Sequence, residues 1–471
     1  MANVNLTING KTISAVAGST ILDAARTAGI RIPTLCAYEG MGPHASCRLC
    51  VVSVAGEKKE KLSCAVKVTE GMQVTTDSEE LRELRRNTLL EMLRHHPVDC
   101  DHCARVGGSR IEDLEPEICE NCYYCDCQRK GFCELQALAR EFGISALPFE
   151  PHRDDFRHDE STGVILRDPN KCVKCRRCVD VCKNTQAVGV LGMIKTDNGQ
   201  TVGVTAAATL AESACIRCGR CVDVCPTGAV YLKEHKDELP YFAHMHDVTT
   251  AALVDRSVLP ELAKLYGGEI TLGKLSAALR KIGVDRVYDA EEVRRAVALE
   301  TAQQLAAWKK PMPALVAVDP AAKAFLEQYY ADRRENFVFP ETAQIRFAEL
   351  TKGMFDKLYR ISGRNSLANE AKVKGCADYF YNARELFRIC KRCGANPTRL
   401  SEAPLDCLGL ETALSDYDEV LSSVEWQVGG HPEELVLQIA GQKIPAMVCH
   451  NPAQLKEALL NKTVRIIRVN A

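Results

Sequence analysis

Two short runs of cysteine carry the densest chemistry in this 471-residue chain: CVKCRRCVDVC, Cys172 to Cys182, and CIRCGRCVDVCP, Cys215 to Pro226. Each is spaced C-x2-C-x2-C-x3-C. Three thiolates at i, i+3 and i+6 can wrap one iron–sulfur cubane, and the fourth then reaches a second cube. The spacing predicts two [4Fe–4S] sites with exchanged ligands: Cys172, Cys175, Cys178 and Cys225 for one, and Cys215, Cys218, Cys221 and Cys182 for the other. A pair of structural zinc sites is the competing reading, because zinc accepts C-x2-C pairs. The doubled octet favours iron. One departure stands out: Lys183 follows the first run where proline is usual, whereas Pro226 follows the second.

A second thiol set lies near the start. Cys36, Cys47, Cys50 and Cys64 are spaced C-x10-C-x2-C-x13-C, enough for one [2Fe–2S] rhomb. Gly40, Gly42 and Pro43 fill the loop between the first two ligands, where glycine lets the backbone approach a cluster. The third set mixes imidazole and thiol. His96 stands four residues before Cys100 and seven before Cys103, and CENCYYCDC adds Cys119, Cys122, Cys125 and Cys127 before Cys133. Imidazole in place of one thiolate raises a cluster's potential. A fourth set, Cys376, Cys390, Cys393 and Cys407, is spaced C-x13-C-x2-C-x13-C. It reads as a further cluster or as a zinc staple. Of the 24 cysteines only Cys449, beside His450, falls outside these sets, and a buried spare thiol is its simplest reading.

The elements that must hold these residues can be read around them. VNLTINGKTISAV is a hairpin about Asn9-Gly10, and TILDAARTAG is a helix with Ser19 as its N-cap and Gly29 as its stop. SEELRELRRNTLLEMLRHH is a helix with Glu79 and Glu80 at its start and Arg94 near its end, stopped by Pro97. VGVLGMIKTDNGQTVGVT is a second hairpin with Asn198-Gly199 at its turn. After residue 250, RSVLPELAKLYG, TLGKLSAALRKIG and AEEVRRAVALETAQQLAAW show apolar 3–4 spacing and read as helices.

Length predicts roughly three or four domains. Hydrophobic content of 46% and charged content of 26% are ordinary for a globular protein. Clustered cysteines in a secreted chain would suggest disulfides. However, MANVNLTINGKTISAV has no apolar signal region, and no stretch approaches 18 apolar residues. A cytoplasmic, metal-binding protein is therefore expected. With a net charge of −2 and no dominant basic block, a nucleic-acid role lacks its electrostatic footprint. No G-x-G-x-x-G follows a strand and no phosphate loop is present, so no nicotinamide site is recognisable.

The order of the sets resembles two related families. A plant-type [2Fe–2S] domain, then His-Pro-x-x-Cys-x-x-Cys, then twin ferredoxin runs is similar to the large subunit of [FeFe]-hydrogenases. It also resembles the iron–sulfur subunit of the peripheral arm of complex I. In both families the His motif continues Cys-x5-Cys-x-Leu-Gln. Here Ser109 stands at the expected third cysteine, and CELQALAREFG from Cys133 supplies the ending. The resemblance thus implies a [4Fe–4S] site of His96, Cys100, Cys103 and Cys133, with Cys127 as the alternative to Cys103. The insertion would hold an additional cluster, or a zinc knuckle, at Cys119, Cys122, Cys125 and Cys127.

Past residue 250 the text is similar to the [FeFe]-hydrogenase catalytic domain: KLSAALRKIGVDRVYD, PALVAVDPAAKAFLEQYY, DYFYNARELFRICKRCGAN and HNPAQLKEALLNKTVRIIRVNA carry the likeness. Val318-Asp319-Pro320 stands where that family has Cys-Cys-Pro, and the Met-Pro-Cys and final cysteine motifs have no counterpart. The resemblance implies an α+β multidomain chain. A β-grasp [2Fe–2S] domain would span 1–78. A [4Fe–4S] domain ligated by one histidine and three cysteines, with a cysteine-rich insertion, would span 79–150. A two-cluster ferredoxin-like domain would span 151–240, and a degenerate α/β hydrogenase-like domain without the H-cluster 250–471.

It further implies one [2Fe–2S] and three [4Fe–4S] clusters with one or two more (or zinc), and no hydrogenase activity of the chain's own. The partners implied are a flavin- and NAD(H)-binding subunit, a small [2Fe–2S] subunit and ferredoxin. The function implied is an oxygen-sensitive, flavin-based NAD(P)H:ferredoxin oxidoreductase or transhydrogenase. Electron bifurcation is inherited from the resemblance and carried by no residue. The alternatives are a relay subunit of a hydrogenase, formate dehydrogenase or complex-I-like assembly, and an iron–sulfur sensor or scaffold.

Overall fold

The computed structural model describes residues 2–97, 127, 129, 132–410 and 431–471, except 43, 145–146, 150–151, 153–154, 310–311 and 440–441. The chain opens with the hairpin β1 (Asn3–Ile8) and β2 (Lys11–Val16). Asn9 and Gly10 both take positive φ, 51° and 80°, the turn whose twist matches two antiparallel strands. Helix α1 (Ile21–Thr27) follows. Its N-cap is Thr20, not Ser19. Thr20 Oγ1 accepts from Asp23 N–H at 3.1 Å, and the Asp23 carboxylate accepts from Thr20 N–H at 3.3 Å. The reciprocal pair satisfies two orphan donors, which Ser19 one residue earlier cannot do.

Strands β3 (Val51–Val54), β4 (Lys61–Leu62) and β5 (Gln73–Thr75) complete a sheet of order β2-β1-β5-β3-β4, with β5 parallel to β1. Its core holds Leu6, Ile8, Ile21 and Leu22. Each such fully buried side chain contributes roughly 1.5–3 kcal/mol. Helix α2 (Glu79–Arg94) turns Leu81, Arg85, Leu89 and Leu93 inward. Arg85 is buried yet satisfied: its guanidinium donates to the carbonyls of Leu49, Val51 and Thr76. It thereby clamps α2 to the segment just around Cys50. Helix α3 (Glu134–Glu141) packs against α2.

Between residues 165 and 232 the pieces are small. β6 (Ile165–Arg167) pairs antiparallel with β9 (Val230–Leu232), and β7 (Leu191–Thr196) pairs with β8 (Gly199–Val204). The β7–β8 loop is Asp197-Asn198, because Gly199 already pairs with Thr196. Helices α4 (Arg177–Asp180) and α5 (Arg220–Val224) pack together over these strands.

The remainder is α/β. One all-parallel sheet has the order β11-β10-β14-β15, from β10 (Thr250–Val254), β11 (Arg286–Asp289), β14 (Lys357–Ile361) and β15 (Tyr379–Tyr381). A second has the order β13-β12-β18-β17-β16. It is built from β12 (Ala314–Val316), β13 (Phe337–Val338), β16 (Glu433–Ile439), β17 (Gln442–Cys449) and β18 (Ile466–Val469). Only β16 runs antiparallel. The helices are α6 (Leu259–Tyr266), α7 (Leu272–Ile282), α8 (Ala290–Ala306), α9 (Pro320–Tyr329), α10 (Ala343–Leu350), α11 (Ser366–Lys374) and α12 (Ala383–Arg392). All three helices expected from apolar spacing after residue 250 are present, as α6, α7 and α8. Among the described residues no helix is long and apolar enough to cross a membrane.

Candidate iron–sulfur centres

The four thiols of the first set meet. Cys36 is hydrogen-bonded by Cys47 and Cys64, and Cys50 by Cys64. Those bonds hold the Cys36 thiol far below its usual range and, from Cys64, hold Cys50 down to about 7. All four side chains are buried. Around them the backbone turns its donors inward: Leu35 N–H points at Cys47 Sγ at 3.5 Å. Ala45 and Arg48 take positive φ, 49° and 55°, on either side of Cys47. Non-glycine residues hold that conformation only under constraint. A shell of inward N–H groups around four thiols suits a negatively charged sulfur cluster.

The two runs build a pair of matching cavities. One is lined by Cys172, Cys175, Cys178 and Cys225 with Val173, Val202, Pro226, Ala229 and Val230. The other is lined by Cys182, Cys215, Cys218 and Cys221 with Ile165, Val181, Val190, Leu210 and Ile216. The fourth cysteine of each run therefore stands in the other run's cavity, as the exchanged spacing requires.

The backbones repeat as well. Lys174 and Arg176 take positive φ in the first run, Arg217 and Gly219 at the same two places in the second. These kinks aim N–H groups at sulfur: Lys174 N–H donates to Cys172 Sγ at 3.4 Å, and backbone N–H groups of Arg177, Arg217 and Arg220 reach Cys175, Cys215 and Cys218. Burial pushes the thiols of Cys175, Cys178, Cys218 and Cys221 well up. A dry pocket disfavours bare thiolates, and a cationic metal core reverses that preference by deprotonating its ligands outright. The donor set, the dry walls and the inward amides fit iron–sulfur groups. Among the described residues no group of three or more His, Cys, Asp or Glu side chains is placed to hold a single metal ion.

The third set is only partly described. His96 is buried just past α2, and Cys133 is buried at the N-terminus of α3. Burial raises Cys133 to about 11, with Cys127 nearby adding to the shift. Cys127 Sγ lies against Gly228, where a Cβ would meet it at 3.1 Å. Cys127 thus sits near Cys133 and beside the end of the second run. Cys100, Cys103, Cys119, Cys122 and Cys125 lie outside the described residues.

These sets touch. Cys36, Cys47, Cys133 and Cys175, from three different sets, belong to one apolar cluster with Leu35, Leu49, Leu89 and Leu135. Ser46 Oγ donates to the Cys175 carbonyl at 3.4 Å. Arg177, nearly fully buried, makes a two-pronged ion pair with Glu134 at 2.7 and 2.8 Å and stands over the Tyr38 ring. One guanidinium therefore ties together a residue two past Cys36, the one after Cys133 and the one before Cys178.

The fourth set is not brought together. Cys376 precedes β15, at one edge of the parallel sheet, and leans on the Glu370 carbonyl. Cys407 is exposed and donates to Glu292 Oε1 at 3.1 Å, and its neighbour Asp406 bridges to Tyr288 at the opposite edge. Three strand spacings of ~4.8 Å separate those edges, against a zinc–sulfur bond of about 2.3 Å. Cys390 is packed in the apolar core beside Cys393, and burial raises it to about 12. The expected four-thiol site is corrected to three separate surroundings. The spacing misled because it counts residues along the chain and ignores the sheet between them. Cys449 is buried, as read from the sequence.

Asp319, at the position of the resembled family's Cys-Cys-Pro, is instead a helix cap. Its carboxylate accepts from Ala321 N–H at 2.8 Å and from Ser366 Oγ at 2.7 Å. Sequence reasoning passed over Arg85 and Arg177. Their only signal was a basic residue on the apolar side of a helix and one directly before Cys178.

Comparisons with known proteins match three family models: a 2Fe-2S iron-sulfur cluster binding domain over residues 1–79, a 4Fe-4S dicluster domain over 171–229, and the C-terminal domain of the iron only hydrogenase large subunit over 248–417. The chain is 31% identical to the NADP-reducing hydrogenase subunit HndD of Solidesulfovibrio fructosivorans, covering 90% of this chain and 74% of that one. It is 36% identical to the alpha subunit of a Geobacter sulfurreducens NADPH-Fe(3+) oxidoreductase over 38% of this chain and 18% of that one. It is 28% identical to the mitochondrial NADH-ubiquinone oxidoreductase 78 kDa subunit of Candida albicans over 43% of this chain, which spans a quarter (25%) of that relative. Among solved structures, a chain of an NAD+-reducing [NiFe]-hydrogenase matches with a TM-score of 0.42 at 31% identity, over 50% of this chain and 89% of that one.

Proposed function

The chain belongs to the family of large iron–sulfur subunits of multimeric [FeFe]-hydrogenases, and from that premise we propose that it is the electron-relay subunit of an NAD(P)H-linked oxidoreductase complex. The observation that carries this reading is the single apolar cluster shared by Cys36, Cys47, Cys133 and Cys175. When bound, iron–sulfur groups supply one-electron transfer, and the protein's contribution is spacing and environment. Cys36, Cys47, Cys50 and Cys64 would hold a [2Fe–2S] group. Cys172, Cys175, Cys178 and Cys225 would hold one [4Fe–4S] group, and Cys215, Cys218, Cys221 and Cys182 another. His96, Cys100 and Cys133 would hold a third, completed by Cys103 or Cys127. The segment Cys119–Cys127 would hold a further cluster.

The chain's own residues do two things for these groups. The apolar walls keep water away, which strengthens every nearby charge interaction. The amides aimed by Ala45, Arg48, Lys174 and Arg217 offset the negative charge of the sulfur cores. The Ser46–Cys175 and Arg177–Glu134 bonds fix one set against the next. The partners follow from the family: a flavin- and NAD(H)-binding subunit, a small [2Fe–2S] subunit and ferredoxin. The finer form of the function is a cytoplasmic flavin-based NAD(P)H:ferredoxin oxidoreductase, with bifurcation as its coupling mode. Val318-Asp319-Pro320 stands at the family's Cys-Cys-Pro, and on that ground the chain itself turns over no hydrogen.

Metal and sulfide analysis with EPR tests the reading on the anaerobically purified chain. The four better-defined sets call for about 14 iron atoms, and the Cys119–Cys127 segment raises that to about 18 as a cubane. Zinc in place of iron at residues 172–225 would sink the relay. Hydrogen evolution by the chain after maturation with a diiron cofactor would overturn its non-catalytic role.

A further inference from the structure

A feature with no place in the relay is a cavity of about 600 Å³ lined by residues of both C-terminal sheets. We propose that this cavity binds a small phosphate-bearing anion, a function separate from electron relay.

Among the described residues six arginines line it: Arg220, Arg256, Arg294, Arg360, Arg364 and Arg468. Four carboxylates accompany them, and they are already engaged. Asp255 pairs with Arg360 at 3.0 Å, and Glu291 pairs with Arg294. Glu261 pairs with Arg384 at 2.8 Å, and Asp319 is taken by its cap and Ser366. Burial would raise Asp255, but Arg364 and Arg360 override it and hold the carboxyl down to about 2.

Arg468 is a buried member of this set with no carboxylate of its own among the described residues. It projects from β18, is 9% exposed, and its Nη1 is buried with no hydrogen-bond partner among the described residues. Burial, together with repulsion by Arg364 and Arg294, pulls its guanidinium down to about 9. An uncompensated buried cation is expensive to keep unless something anionic enters beside it.

The position is that of a ligand site. Asp255, Ala290, Gly363, Val318 and Asn470 follow the carboxyl ends of parallel strands β10, β11, β14, β12 and β18. Ligands of open α/β sheets bind outside those ends. The cavity also receives the N-terminus of α10 through Ala343, which has no side-chain cap, whereas those of α8 and α9 are capped by Asp289 and Asp319. Guanidinium forks and helix N-termini are both matched to phosphate. The volume lies in the range of small-molecule sites. Among the described residues no aromatic ring lines it, which favours the phosphate itself over a stacked base. Among the described residues no cysteine lines it either.

The test is isothermal titration and anaerobic thermal unfolding of the iron-loaded chain with pyrophosphate, ADP and citrate, with chloride at matched ionic strength as the blank. Pyrophosphate or ADP should bind and raise the melting temperature. Arg364→Ala should weaken that binding at least tenfold, and Arg468→Met should abolish it. Arg468→Met should also melt higher than the parent without ligand, because it removes an unpaired buried charge; a merely structural arginine would make it melt lower. Should Arg468→Met fail to fold, Arg364→Ala decides alone. Binding of citrate only, binding unaffected by either variant, or no binding would each overturn the proposal.

Discussion

The runs at 172–182 and 215–225 share one cysteine spacing and end in different ways. In the first, helix α4 continues through Cys182 in a wider helical turn, Val181–Thr185, closed by Gln186 N–H on the Val181 carbonyl at 2.8 Å. In the second, α5 stops at Val224, Cys225 is extended at φ −68° and ψ 121°, and Pro226 follows. Proline drives the residue before it out of the helical region, so Pro226 accounts for the stop. Lys183 imposes no such restriction. The Pro226 carbonyl accepts from Glu134 N–H at 3.0 Å and so docks the second run onto α3 beside Cys133. The wider turn of the first run instead packs towards Pro452–Gln454 in the C-terminal half. Spacing decides where the thiols point; the next residue decides what each run leans on.

The largest effects test the exchange itself. Cys225→Ser should remove the cluster of the first triplet and spare that of Cys215, Cys218 and Cys221, and Cys182→Ser should do the opposite. Each variant should lose about four iron atoms and one EPR signal. Loss of a run's own signal instead would break the pairing.

Next, Lys183→Pro should cost ~3 kcal/mol in thermal unfolding, because it forces Cys182 out of its helical turn. Pro226→Lys, where the backbone is already extended, should cost much less. Equal costs would erase the distinction drawn between the runs.

A finer contrast uses the two equivalent left-handed positions. Gly219 has φ +75°, and a Cβ there would meet Asn365 Cβ at 2.3 Å, so Gly219→Ala should destabilise by ~2 kcal/mol. Arg176 holds φ +65° with a side chain, and Arg176→Gly should stabilise by up to ~1 kcal/mol.

The last contrast lies beyond the second run and depends on pH. Glu385 is fully buried; burial and the neighbouring Glu234 raise its carboxyl well above the usual range, while Arg388 pairs with Glu234 at 2.7 Å. As pH rises past the ordinary carboxylate pKa, the unfolded chain loses that proton first, so stability falls until the folded pKa is passed. Glu385→Gln should flatten this fall, up to ~1.4 kcal/mol per pH unit, in denaturant melts between pH 5 and neutrality.

How much of this was legible depended on whether the cause was local. The exchanged cavities, the β1–β2 turn and the helices after residue 250 follow from neighbours in sequence, and each was readable. The left-handed residues were hidden because Lys174, Arg176 and Arg217 stand where glycine would have signalled them. The Cys376 set misled because chain spacing is blind to the sheet lying between its members. The arginine cavity was invisible because its six cations are drawn from residues 220 to 468 with no motif among them. Topology alone collects them.

The walls of the first cavity include Cys225, Pro226 and Thr227 as well as Cys172. During synthesis, Cys172, Cys175 and Cys178 leave the ribosome some fifty residues before that last wall exists. The nascent protein must therefore keep three reactive thiols waiting, and delivery of inorganic iron and sulfide has to come after translation of the whole module. Truncation between residues 178 and 225 should empty the upstream site too, although its own triplet would be intact.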